Sequence, residues 1–468
     1  MSSPAKAQGV FRYLTIARVT LECKTVLSIG CGESDSVNDV MIIRDVDGLP
    51  TIPGTAIAGV LRSMSVNNGL FGQGRPAARK ETDTDYDASR IFFSWARVHG
   101  KDNKPAKQNF NPSEDEILRW LLEDQPIRRD HVKINEFGTT NKGGKFDRGA
   151  VPKGTRFTVE IMIESNDKDG TDLTTVLALI KSPLFRLGGA VHRSYGRVDI
   201  VEGGVVSKQF DLADSKDLVV LAAYSPDLSV NASCLTDRPT PTTKTELLWS
   251  KTITLTPEGF WRFGGGAVGL RTKRMALDGK YSTDADMLIV TENVIEWNDN
   301  NGTQSKLKLL VPGASVKGAL AHRIGFHARR FAGVWAGDDN AKEQTAIEKS
   351  LFGLPLNDDE GHAGRVMIDD VFIPFKESDI GRISHNKIDQ FTGGTINSAL
   401  FFEEAVWGLP IEFEITVAPE RGAENGTEVL TTAQSKALDA ALNDLMQGRL
   451  SLGANANNGH GYFTGDAT

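Results

Sequence analysis

One short pattern occurs twice in this chain, and it constrains how everything else must be organised. Residues 38–63, NDVMIIRDVDGLPTIPGTAIAGVLRS, read as strand, turn and helix. Met41, Ile42 and Ile43 are the apolar run of a short buried strand. Asp45, Asp47 and Gly48 supply turn chemistry, since Asp bonds its own backbone and Gly accepts positive φ. Pro53 and Gly54 then open a helix, with Thr55 the expected N-cap and Ile57, Val60 and Leu61 its apolar stripe. The second copy runs from Asp286 through Met287, Leu288, Ile289 and Val290 to Pro312, Gly313 and Leu320. Pro53 follows Asp39 by 14 positions, whereas Pro312 follows Asp286 by 26. The added residues fall around 298–302, a polar hairpin-like tip where insertions cost little.

Four more echoes follow in the same order. Leu70, Phe71 and Gly72 return as Leu351, Phe352 and Gly353. RIFFS at 90–94 returns as RVMID at 365–369, and KINEFGT at 133–139 as KIDQFTG at 387–393. The glycine loop 187–197 returns at 452–462. An ordered series of this kind is an internal duplication. It predicts a first unit at 1–222, a Pro- and Thr-rich linker at 223–250 and a second unit at 251–468.

Within each unit the order is strand, helix, short strand, finger, strand, helix, glycine loop and last strand. The first unit shows it as a strand within 12–30, a helix after Pro53, a polar insertion at 73–87 and a helix at 114–123. An extended loop or β-finger at 136–150, a strand at 156–163 and a helix at 173–182 complete it. The second unit repeats the closing part with a strand at 413–417 and a helix at 432–447. That order suits an α+β fold made of two tandem split β-α-β, ferredoxin-like sheets, each with helices on one face.

The chain of 468 residues is too long for one hydrophobic core, and its 24% charged content is that of a globular protein. No run approaches the ~20 apolar residues of a membrane span, and no secretory leader is legible at the start. Three cysteines without metal-ligand or paired spacing fit inert thiols of a reducing cytoplasm. A net charge of −8 argues against nucleic-acid binding through bulk charge. Local patches still allow it: Arg128, Arg129 and Lys133; Lys142, Lys145, Arg148 and Lys153; Arg186, Arg193 and Arg197; Lys317, Arg323, Arg329 and Arg330. Each patch reads equally well as a solvated face.

Taken together, IPGTAIAGVLR, VPGASVKGAL, the two LFG triplets, KIDQFTGGTINSALFFEEAV and the closing glycine loops resemble the RAMP superfamily. More narrowly they are similar to backbone subunits of type III (Csm- and Cmr-like) CRISPR effector complexes, and two fused units resemble the multi-unit backbone proteins of type III-D-like systems. The resemblance implies an RRM-like core that holds guide (CRISPR) RNA, a β-finger thumb pushed between guide and target RNA, and other effector subunits as partners in the cytoplasm. It also implies an aspartate ahead of the Pro-Gly step that cleaves target RNA with a divalent metal, Mg2+ being the expected ion. By position that residue is Asp39 in the first unit and Asp286 in the second, with Asp35 and Asp284 as neighbouring alternatives. The family's Lys-Gly-x-x-Arg pattern is divided between the copies: the first keeps Arg62, the second Lys317 with Arg323 nearby. The second glycine loop lacks counterparts of Arg193 and Arg197.

Elementary chemistry gives these positions plausible work. The helix starts at Gly54 and Thr55, and at Gly313 and Ser315, expose backbone N–H groups that suit phosphate, although a Pro-Gly turn also simply starts a helix. Gly188, Gly189, Gly453 and Gly459 let a phosphate chain approach the backbone. Phe137 and Phe391, in the fingers, are candidates to stack on bases. Asp39 and Asp286 are either strand caps or acids that bind a divalent cation or orient a ribose 2′-hydroxyl toward the adjacent phosphate. In that case the RNA cuts itself and the protein supplies position.

Overall fold

The computed structural model describes residues 10–32, 40–65, 68–72, 88–134, 140–241, 248–271, 285–340, 343–354, 361–420 and 428–468. The first unit is built on β1 (Tyr13–Cys23), α1 (Gly54–Met64), β2 (Ile91–Phe93), a hairpin of β3 (Ile127–Ile134) and β4 (Thr140–Ala150), β5 (Arg156–Ser165), α2 (Thr171–Ile180) and β6 (Val198–Asp211). β1 lies between β5 and β6, antiparallel to both, with Tyr13 opposite Ser165 on one side and Asp211 on the other. β2 flanks β5, so the core order is β2-β5-β1-β6. The second unit repeats it with β7 (Trp249–Pro257), α3 (Gly313–Ala332), β8 (Val366–Ile368), the hairpin β9 (Ile380–His385) and β10 (Phe401–Trp407), β11 (Ile411–Val417), α4 (Thr432–Met446) and β12 (Phe463–Ala467). Its order is β8-β11-β7-β12, the same ferredoxin-like arrangement.

Alternation along β1 explains the layers. Ala17, Val19 and Leu21 enter the main core with Ile57 and Leu61 of α1 and Leu173, Val176 and Leu177 of α2. Ile16 points to the opposite face. There it joins Phe210 and Leu235 in a smaller cluster. The segment expected to be a free linker thus covers a sheet face in its first half. Arg18 donates to the carbonyls of Ser225 and Val230, the Tyr224 hydroxyl donates to the Glu160 carboxylate, and Thr236 and Asp237 pair with β6. At its end, Trp249 and Ser250 already belong to β7.

Three local expectations change. Residues 41–43 and 287–290 are extended and hydrogen-bonded to the preceding loop, as in Ile43 N to Ile29 O and Val290 N to Phe263 O, without forming a regular strand. Thr55 is no N-cap: the cap positions are Pro53 and Pro312, neither with a side-chain cap bond. Pro-Gly is required there for closeness, because a Cβ on Gly54 would strike the Phe93 carbonyl and one on Gly313 the Ile368 carbonyl. The polar tip after Ile295 is a hairpin, Ile295–Asn298 with Asn301–Gln304, and it clasps the first unit. Trp297 Nε1 donates to Gly154 O at 2.7 Å, Ile295 N donates to Lys153 O at 2.8 Å, and Arg156 stacks over the Trp297 ring at 4.2 Å. The insertion at 73–87 lies outside the described residues.

Candidate nucleic-acid interface

A groove of about 1740 Å³ runs across the seam between the units. Its walls are Arg128, Arg129 and His131 of the first finger stem, Arg193 of the first glycine loop, and the α3 start at Pro312, Ala314 and Ser315. Gly264, Gly265 and Gly266 and the second glycine loop, Gly453 with residues 454–458, close the far side. No single predicted element forms this groove; the docking of the units does.

The two glycine loops match residue for residue. Gly188 packs on the Ser28 carbonyl and Gly453 on the Arg262 carbonyl so tightly that neither tolerates a Cβ. Ala190 and Ser194 take left-handed conformations, as do Asn455 and Gly459, around a single 3₁₀ turn. Gly189 N donates to Ser28 O and Ala454 N to Arg262 O. The first loop, however, is engaged in the joint. Ser194 Oγ donates to Ile368 O at 2.6 Å, and Arg186 and Arg197 both pair with Asp369 at 2.7 and 2.8 Å. Burial by itself would raise the Asp369 carboxyl, but the two guanidiniums outweigh it and hold it below its ordinary value. Arg129, nearly buried, reaches Glu292 at 2.8 Å and Asp370 at 2.5 Å.

Several predicted RNA contacts therefore sit elsewhere than in open solvent. Lys317 turns its ammonium into the joint, donating to His192 O at 3.0 Å and Val366 O at 2.8 Å, and burial with Arg193 and Arg186 nearby lowers it to about 8. Arg323 pairs with Asp444 at 2.6 Å, beside His327. Arg62 donates to Phe71 O. The N-terminal amide of α3, Gly313 N, is already taken by Asp370 Oδ1 at 2.9 Å. Arg197 is half-buried, while Arg193 is exposed with its guanidinium over the Phe146 ring. Thr55, Ser315, Gly188, Gly453 and Gly459 are exposed, and Gly189 is half-buried. Phe391 is 88% exposed at the tip of the second finger.

Asp286 is exposed, and its Oδ2 accepts the Phe402 amide at 2.8 Å, so the acid sits at the root of the second finger. Asp35, Asp39, Asp284 and Phe137 lie outside the described residues. Among the described residues no three His, Cys, Asp or Glu side chains are grouped to cage a metal. A lone exposed carboxylate still fits Mg2+, which keeps several waters and shares its shell with substrate phosphates.

From sequence, His131 and His385 are candidates for phosphate contact or acid–base help, or else ordinary imidazoles; that they form a matched pair at the finger roots is not legible there. His131 stacks on Phe146 at 5.0 Å and His385 on Phe401 at 4.8 Å, in matching places under the two glycine loops. His131 also meets the Tyr195 hydroxyl at 2.9 Å. Burial, then Arg193, Arg129 and Arg148, lower it to about 4, so it is neutral at pH 7. Beneath the second loop a fully buried Glu403 gathers His385 at 3.0 Å, His460 at 3.3 Å, Arg262 at 3.4 Å and the Asn455 amide. The pairing of each imidazole with a finger phenylalanine shows only once the strand registers are known.

Comparison with known proteins gives two findings. The RAMP superfamily profile matches residues 20–199 and again 254–464. A protein named CRISPR system Cms endoribonuclease Csm3, from Methanothermobacter thermautotrophicus (strain Delta H), is 27% identical over 202 residues, which cover 38% of this chain and 79% of that protein.

Proposed function

Because the chain belongs to the RAMP superfamily through both of its halves, we propose that it is a backbone subunit of a type III CRISPR effector complex. In this reading it holds guide RNA, works in the cytoplasm with other effector subunits, and cleaves the complementary target RNA. The observation that carries it is the groove across the seam, which joins a finger stem, a helix start and both glycine loops along one path. Such a path suits a phosphate backbone better than a small molecule, because it is large, open and lined by the Arg128, Arg129 and Arg193 guanidiniums. The similarity to the archaeal Csm3 protein supports the same class.

For cleavage, Asp286 orients the ribose 2′-hydroxyl of the target toward its neighbouring phosphate, and Phe402 N holds the carboxylate in place. Asp286 would hold a divalent cation, which would supply charge neutralisation at that phosphate. Asp39 has the same role in the first unit. The exposed Phe391 stacks on a base displaced at the finger tip. Its partners are guide RNA, target RNA and neighbouring effector subunits. The test is to purify the chain with its partners, sequence the RNA that co-purifies, and offer labelled target RNA with and without Mg2+. Absence of guide-derived RNA sinks the reading. A second reading, a subunit that grips without cutting, is favoured at the second unit by one fact: Asp286 already bonds the finger backbone, as a structural cap would. Asp286→Ala with unchanged cleavage supports that alternative.

A further inference from the structure

The two units contain the same finger-root chamber with different charge. Backbone bonds fix the correspondence: Gly149 N donates to Val40 O, as Glu404 N does to Met287 O, and Gly189 N and Ala454 N donate to Ser28 O and Arg262 O. Ser28 thus matches Arg262, Arg148 matches Glu403, His131 matches His385 and Tyr195 matches His460. In the second unit the chamber is neutralised internally, because the Glu403 carboxylate, 0% exposed, faces Arg262 and both imidazoles. In the first unit the carboxylate is replaced by a guanidinium. Among the described residues Arg148 Nη1 reaches only Ser28 Oγ, at 3.5 Å, and Nε is buried without a partner. Among the described residues no carboxylate lies within ion-pair distance of Arg148 or Arg193. The contrast recurs at the helix starts: Asp370 takes Gly313 N in the second unit, and the matching residue of the first is Trp95.

A half-buried cation with no counter-ion among the described residues is unfavourable, and an arriving anion relieves it. Burial is the first cause that lowers His131, and Arg193, Arg129 and Arg148 around it lower it further. We infer that Arg148 and Arg193 form a phosphodiester-binding subsite in the first unit alone, while Glu403 closes the equivalent place in the second. The inference deepens the proposed function: the RNA backbone is gripped electrostatically by one unit and only shaped by the other.

The test uses the full chain and a short oligouridylate, with affinity measured across a salt series. Arg148→Gln is expected to weaken binding and make the slope of log K against log salt shallower by about 0.7 for the one phosphate lost. The exchange Ser28→Arg with Arg148→Glu, which copies the second unit's wiring, is expected to do the same with an unchanged urea midpoint. Glu403→Gln frees Arg262 and is expected to steepen the slope. If Arg148→Gln leaves affinity and slope at the wild-type values, the subsite is wrong, even where guide RNA co-purifies from cells. A lost slope in a chain that carries no guide RNA supports the subsite while the wider reading fails. No binding of the oligonucleotide by the wild-type chain overturns both.

Discussion

Three histidines are held neutral by the fold, and their titration should be visible in the stability of the whole chain. His99 is buried between Thr158 Oγ1 at 2.7 Å and Asn103 Oδ1 at 3.1 Å, and burial lowers it from 6.5 to about 4. Burial and Arg193 do the same to His131, and burial and Lys317 to His192. In the unfolded chain each takes a proton near its ordinary value. Their contribution is therefore complete above about pH 6.5 and is lost as the pH falls toward 4. For His99 the loss is on the order of 3 kcal/mol, and for the less buried pair it is smaller. Urea midpoints followed from pH 7 to 4.5 should fall, and His99→Asn should flatten part of the decline; an identical decline in the variant means the imidazole is not the titrating group. Lys317 acts at the other end. Its folded value of about 8 lies below the ordinary 10.5, so the unfolded chain binds more protons between those values and stability rises with pH there. Lys317→Met should lose that alkaline rise in the same urea series.

At the scale of elements, the clasp hairpin shows how far the sequence could be read. Its turn was legible from the polar residues at 298–302, but its purpose was not. The groups it meets, Gly154 O, Lys153 O and Lys101 O, lie in the other unit, and no local pattern encodes a docking geometry. The same reason hid the second role of Arg186, Arg197 and Lys317. A basic cluster looks alike whether it awaits phosphate or faces Asp369. What was legible rested on local steric demands: Pro-Gly before each helix, glycines at 188, 196, 453 and 461, and apolar alternation in β1. Trp297→Ala removes the indole bond to Gly154 O, the stacking of Arg156 and part of the apolar contact with the first unit's core. The expected loss is about 2–4 kcal/mol, read as a lower urea midpoint with a separate early phase as the units part. A single transition at the wild-type midpoint would show that the clasp adds nothing to the joint.

The whole molecule is two similar units locked by a joint of buried charge, and the joint sets the spacing of anything the two units do. Arg129 between Glu292 and Asp370, and Asp369 between Arg186 and Arg197, fix the first glycine loop on the start of α3. Removing one member of such a buried set leaves the others uncompensated and costs about 3–5 kcal/mol. If each unit positions one target phosphodiester, a fused pair should cut one target at two points with constant spacing. Asp39→Ala should erase one product and Asp286→Ala the other, with guide binding retained in both, because a missing carboxylate leaves the basic side chains and glycine loops that hold the phosphates in place. Arg129→Met should keep both acids yet relax the joint, so that the two products lose their fixed spacing or one of them fades. Gel analysis of end-labelled target RNA reads all three variants together. If Arg129→Met unseats the joint by its urea profile while both products keep their positions, partner subunits rather than this joint set the distance between cuts. If the double aspartate variant still cuts at both points, the acids are caps and the nuclease lies in another subunit.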